Sequence, residues 1–218
     1  MGLPRGEFPD SKLCKAATVY AEKVSAPFLF NHAMRSAVYA EFFGQQQGMK
    51  YDRELLYVST ILHDLGLTDV VPVKARFEIE GADAARAFLS AEGMNETALD
   101  LVWDAIALHT TAEIPQRKAP EVALCQLGIF ADINLLPPGL ADNAILDELL
   151  DDYPWLDNAN GLMDSLIHLY GKNPAAANSN AVADACEKRV SGFKRFNFCE
   201  HLLAKSDRLA STAGDQLQ

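Results

Sequence analysis

Tyr57-Val58-Ser59-Thr60-Ile61-Leu62-His63-Asp64-Leu65-Gly66-Leu67 is the stretch on which the reading of this chain turns. A mostly apolar run leads into an adjacent imidazole and carboxylate, and a glycine follows at once. Neighbouring residues on a helix point about 100° apart, so His63 and Asp64 face one point only near a helix end or against a concave wall. Gly66 is consistent with such an end. Burying a histidine beside an aspartate is costly unless a cation or an ion pair compensates. The plainer alternative is a helix C-terminus with a solvated aspartate.

Working outward, the pattern is helical almost throughout. The one strand candidate, Val70-Val71-Pro72-Val73, is broken by proline. The periodicity predicts helices at about 10–24, 27–47, 52–65, 79–91, 95–110, 119–136, 142–151, 160–171, 179–190 and 195–208. Asp52 can cap one of them, and Gly48, Gly93 and Gly171 fall at expected helix ends. Pro137-Pro138-Gly139 must stop a helix. The segment 173–185, rich in alanine and asparagine, reads as a linker or a loosely packed helix. The expectation is an all-α fold, a compact helical bundle with additional C-terminal helices. It divides into an N-terminal helical segment (1–24), a core carrying the chemistry (25–140) and a C-terminal helical region packed on the same domain (141–218).

The chain has 218 residues, enough for one domain with a proper core. Apolar residues make up 49% and charged residues 22%, a globular profile. A net charge of −11 with no clustered basic patch argues against nucleic acid as a partner. No apolar run is long enough to span a bilayer, and the first residues lack the apolar core of a signal peptide. Gly6 stands where myristoylation expects serine or threonine. Cys14, Cys125, Cys186 and Cys199 form no C-x-x-C pair and read as reduced thiols of a cytoplasmic protein. A small-molecule substrate is the expected partner, with homo-oligomerisation open.

Two further residues join the His63-Asp64 pair. His32 lies inside a predicted helix, in Asn31-His32-Ala33-Met34-Arg35. Asp132 interrupts the nearly continuous apolar run Leu127-Gly128-Ile129-Phe130-Ala131-Asp132-Ile133. An acid there needs compensation, from a cation, an arginine or a neighbouring helix end. Alone, each residue also fits a satisfied core position. Together, two imidazoles and two carboxylates make a ligand set for one divalent transition metal, zinc first, iron or manganese as alternatives. Such an ion activates water near neutral pH.

The order His32, His63-Asp64, Asp132 on a helical background resembles the HD-domain superfamily of metal-dependent hydrolases, whose ligands run H…HD…D. Asn31-His32-Ala33-Met34-Arg35, Ile61-Leu62-His63-Asp64-Leu65-Gly66-Leu67 and Arg76-Phe77-Glu78-Ile79-Glu80-Gly81-Ala82-Asp83-Ala84-Ala85-Arg86 resemble its cyanamide hydratase-like branch. The resemblance covers about residues 25–140. It implies an HD-domain helical bundle with one catalytic metal held by His32, His63, Asp64 and Asp132. It further implies a metal-activated water that adds to a small nitrile, cyanamide giving urea, with Asp64 catalytic as well as ligating. His109 is the extra histidine such domains carry between the HD pair and the last aspartate. It is the expected proton donor to the nitrile nitrogen, and the absence of a second such histidine before Asp132 implies a mononuclear site. Arg35, Thr110 and Glu80 are weaker candidates for substrate contact.

Two other readings compete. A phosphohydrolase acting on a nucleotide or phosphomonoester needs positive charge around the phosphoryl oxygens; Arg35, Lys74 and Arg76 would have to converge. A non-catalytic metal- or ligand-sensing module would keep the fold without the chemistry, and retention of all four ligand types speaks against it. Phe28, Phe30, Phe77, Trp103 and Trp155 are candidates to shape a pocket, though aromatics at helical spacing are more often core.

Overall fold

The computed structural model describes residues 8–136, 149–178 and 180–205, and among them there are helices and no strand. In chain order they are α1 (Lys12–Val24), α2 (Pro27–Gln46), α3 (Arg53–Ile61), α4 (Phe77–Ala91), α5 (Glu96–Leu108), α6 (Pro120–Asp132), α7 (Asn158–Lys172) and α8 (Ala181–Arg189). Residues 198–205 are also helical, and short 3₁₀ turns lie at Leu65–Leu67, Pro115–Arg117 and Pro174–Ala176. The all-α expectation holds. The predicted helix at 142–151 falls largely outside the described residues.

The helix starts follow local chemistry. Ser11, Asp52, Asn95 and Asn180 accept hydrogen bonds from the free backbone N–H groups of α1, α3, α5 and α8. Pro27 and Pro120 open α2 and α6, where no N–H is needed. Two helices stop four residues short of the sequence expectation. The helix expected over 52–65 ends at Ile61, and the one expected over 119–136 ends at Asp132. Periodicity carries no signal for either stop. The first comes where the chain tightens into the Leu65–Leu67 turn, and the second where Asn134 takes a left-handed φ of 58°. Gly171, expected at a helix end, lies one residue inside the end of α7.

α2 is the axis of the bundle. From His32 to Glu41 every residue is buried, because both sides of the helix are covered. Ala33, Met34 and Ala37 pack with α1, α3, α4 and α5 in one apolar cluster. Val38, Tyr39, Ala40 and Phe43 pack with α6 in a second. The α2–α6 crossing is the largest helix interface and an unusually close one. A Cβ on Gly128 would sit 2.4 Å from the Ser36 carbonyl oxygen, so only glycine permits this approach. Gly66 does the same for the turn after α3, since a Cβ there would meet the Phe77 carbonyl oxygen at 1.9 Å. That contact presses the His63-Asp64 turn onto the start of α4.

The C-terminal helices are tied to this core through Phe77, which packs with Leu169, Val182, Ala183 and Cys186. α7 also contacts α2 and the Leu65–Leu67 turn. Cys14, Cys125 and Cys186 are buried and Cys199 is exposed; none is in a disulfide. No described helix is long and apolar enough to cross a membrane.

Candidate metal centre

His63 and Asp64 sit just beyond the end of α3, where the backbone has left the helix and both side chains turn toward α2. They meet His32, from the first half of α2. The His32 and His63 Nε2 atoms are 3.3 Å apart, and Asp64 Oδ2 lies 3.1 Å from His63 Nε2 and 3.7 Å from His32 Nε2. All three residues are buried. His109, at the C-terminal end of α5, adds a third imidazole, its Nε2 3.7 Å from the other Asp64 oxygen.

The acceptors around these rings fix their tautomers. His63 Nδ1 is 2.7 Å from the Thr60 carbonyl and His109 Nδ1 is 2.7 Å from the Ile106 carbonyl. A carbonyl only accepts, so each Nδ1 carries the proton. His32 Nδ1 is 2.6 Å from Asp132 Oδ2 and donates likewise to an ionised carboxylate. In its neutral form each ring therefore turns an Nε2 lone pair inward.

Two such lone pairs 3.3 Å apart repel unless a proton or a cation lies between them. A cation with zinc–nitrogen bonds of about 2.0–2.1 Å and a near-tetrahedral angle separates its two nitrogens by about 3.3–3.4 Å. The observed separation of His32 and His63 matches, and among the described residues His32, His63 and Asp64 are a group whose ligand atoms could hold a metal ion. The electrostatics agree. Burial works against charge on His63, but adjacent Asp64 outweighs it and raises the pKa. Burial likewise opposes ionisation of Asp64, yet His63, His32 and His109 hold it well below the usual carboxylate range. The donor set and its spacing fit a divalent transition metal.

Asp132, expected as the fourth ligand, approaches His32 from behind. Its Oδ1 accepts from Arg35 Nε at 2.6 Å, and its Oδ2 accepts from Arg35 Nη2 at 2.9 Å and from His32 Nδ1. Both oxygens are thus occupied, and the carboxylate orients the His32 ring as an outer partner orients a metal-bound histidine. Burial opposes its charge, but His32 and Arg35 keep its pKa low. Arg35 is fully buried, donates Nη1 to the carbonyls of Tyr153 and Pro154, and lies 4.8 Å from the Trp155 ring centroid. It is not among the residues lining the cavity, so the expectation of Arg35 as a substrate contact gives way to one of support.

His109, the expected proton donor, rests neutral and must take up a proton before it can give one. Burial, and then the nearby positive charge of His63, push its pKa down to about 4. With Nδ1–H committed to Ile106, its neutral Nε2 is an acceptor. Glu80, expected near the substrate, accepts from the backbone N–H groups of Lys74 and Ala75 at 2.5 and 2.7 Å and pins the loop before α4. Thr110 does line the cavity and donates its hydroxyl to Glu78 at 2.6 Å.

The cluster forms the polar floor of a cavity of about 470 Å³. Leu67, Phe77, Ile129, Phe130, Ile133 and Leu135 supply walls from the core, and Leu162, Leu166 and Ala181 from α7 and α8. Of the proposed aromatics, Phe77 alone lines it, 5.6 Å from the His109 ring.

Residues 29–147 match the family model of the HD domain. The chain belongs to the HD domain family. Two proteins of Saccharomyces cerevisiae (strain ATCC 204508 / S288c), cyanamide hydratase DDI2 and cyanamide hydratase DDI3, are each 34% identical to it over 107 residues. These cover 46% of this chain and 47% of each relative, so the match spans about half the length of either.

Two parts of this HD domain's site escaped the sequence reading. Glu78 is fully buried between Arg76, at 2.6 Å, and Thr110. Burial would raise its pKa, but the hydrogen bonds from Arg76 and Thr110 lower it. The signal was available, since an acid between Phe77 and Ile79 is the same anomaly that singled out Asp132. The α7 and α8 wall carried no signal, because leucines at helical spacing look the same whether they face a core or a cavity.

Proposed function

We propose that the protein is a metal-dependent hydratase that adds water to a small nitrile-like substrate, with conversion of cyanamide to urea as the reference reaction. His32, His63 and Asp64 would hold the ion, with Asp132 fixing His32 from behind. When bound, a divalent ion supplies Lewis acidity, which makes water nucleophilic near neutral pH and polarises a nitrile. The observation that carries the reading is the convergence of inward-facing Nε2 atoms and Asp64 beneath a largely apolar cavity. The 34% identity to two cyanamide hydratases supplies the reaction class.

The remaining roles follow from protonation states. Neutral His109 accepts a proton from water through Nε2 as the carbon–oxygen bond forms, then returns it to the nitrile nitrogen. The second proton of the water reaches that nitrogen by tautomerisation, giving the amide of urea, and no oxidant or reductant is consumed. Because Thr110 gives its hydrogen to Glu78, its oxygen is left as an acceptor for a substrate N–H.

Arg76 is the one observation that favours phosphohydrolysis, since it lies on the cavity lining. It is tied to Glu78, and neither Lys74 nor Arg35 lines the cavity, so the positive charge a phosphoryl group requires is not assembled. A direct comparison separates the two. Metal-loaded protein is offered cyanamide and a panel of nucleotides, and urea and phosphate are measured. Urea without phosphate is the expected result; phosphate without urea overturns the reading.

A further inference from the structure

The cavity is far larger than cyanamide requires. A water takes about 30 Å³ of liquid, so cyanamide, about the size of two waters, fills roughly 60 Å³. The cavity of about 470 Å³ lies within the range that holds a drug-sized ligand. Beyond the cluster and Thr110 the lining carries a few polar groups, among them Asn180, Arg76, tied to Glu78, and Asp184, tied to Arg195. Much of the remaining wall is hydrocarbon, including Phe77, Phe130, Leu162 and Leu166. A substrate that left this wall in contact with water would forgo the apolar burial it offers.

We infer that the substrate class is a nitrile bearing an apolar substituent, of about the size of a phenyl ring, rather than bare cyanamide. The inference rests on the hydratase reading and adds to it a specificity element, the wall built by α7 and α8. The chemistry is unchanged. Oxygen bonds to the nitrile carbon and ends as its carbonyl oxygen, both carbon–nitrogen π bonds are lost, and both protons of the water end on nitrogen. An N-substituted cyanamide yields an N-substituted urea. Leu162 and Leu166 on α7 and Ala181 at the start of α8 are the specificity-determining residues, because they face the cavity without belonging to the cluster.

The test is the ratio of kcat/KM for phenylcyanamide to that for cyanamide, measured on metal-loaded wild type, Leu166→Trp and Ala181→Leu. A ratio does not depend on the fraction of protein that folds, so an unstable variant does not confuse it. The wild-type ratio is expected to exceed ten, and each variant, by filling the cavity, to lower it at least tenfold. Wild type that prefers cyanamide, or variants that leave the ratio unmoved, overturn the inference while the hydratase reading stands. Metal-loaded protein that turns over neither compound overturns both.

Discussion

Arg35→Met is the most informative single substitution. Arg35 is fully buried and holds both oxygens of Asp132, at 2.6 and 2.9 Å, with two backbone carbonyls on its remaining nitrogen. Methionine fills the space but leaves a buried carboxylate with His32 alone. Breaking a buried pair from one side costs about 3–5 kcal/mol. Out of a total of about 5–15 kcal/mol, this is a large share. For a chain of this length each kcal/mol shifts Tm by about 2–4 °C, so the expected loss is about 6–20 °C. Circular dichroism during heating measures it. The second arm is Arg35→Met with Asp132→Leu, which removes both charges; stability is expected to recover most of the loss. Metal affinity is not, because His32 has lost the carboxylate that orients it, and a drop of about 10–100-fold is expected by chelator competition. A single variant within about 1 kcal/mol of wild type, or a double variant that binds metal normally, refutes the reasoning.

Other outcomes follow from the same geometry. A divalent ion at 100 times its Kd should stabilise the protein by about 2.7 kcal/mol, and His63→Ala should remove that shift in a thermal melt; an equal shift in the variant would place the metal elsewhere. Gly128→Ala should cost about 1–3 kcal/mol, because its Cβ meets the backbone of α2, and a neutral result in urea denaturation would contradict the close crossing. Glu78 has a folded pKa below its ordinary 4.5, so its stabilisation is complete above that value and lost as pH falls through the folded one. The Tm gap between wild type and Glu78→Gln should accordingly be constant from neutral pH down to about 5 and close in more acid solution; a gap that persists at pH 2 would show that the carboxylate charge is not its source.

Much of this architecture is legible in the sequence because the relevant signals are local. Helix periodicity, the Asp52 cap and the apolar run around Asp132 each act within a few residues. The His63-Asp64 pair is informative for the same reason, since two adjacent polar groups at a helix end raise an immediate question of compensation. What the sequence withholds is direction. Nothing in Arg35 tells whether it reaches a substrate or, as found, the back of Asp132. Nothing in His109 tells which nitrogen is committed to a carbonyl, and that choice leaves Nε2 to take up a proton before it can give one. The α7 and α8 wall lies far along the chain and meets the site only through the packing around Phe77.

The central claim is that one divalent ion on His32, His63 and Asp64 supports nitrile hydration. Its most direct test is a titration of metal-free protein with zinc, with urea formation from cyanamide followed at each addition. The account predicts no urea at the start, a linear rise in rate and a break at one equivalent per chain. Urea formed at full rate before any zinc is added, a break at two equivalents, or no urea at saturating zinc would contradict it.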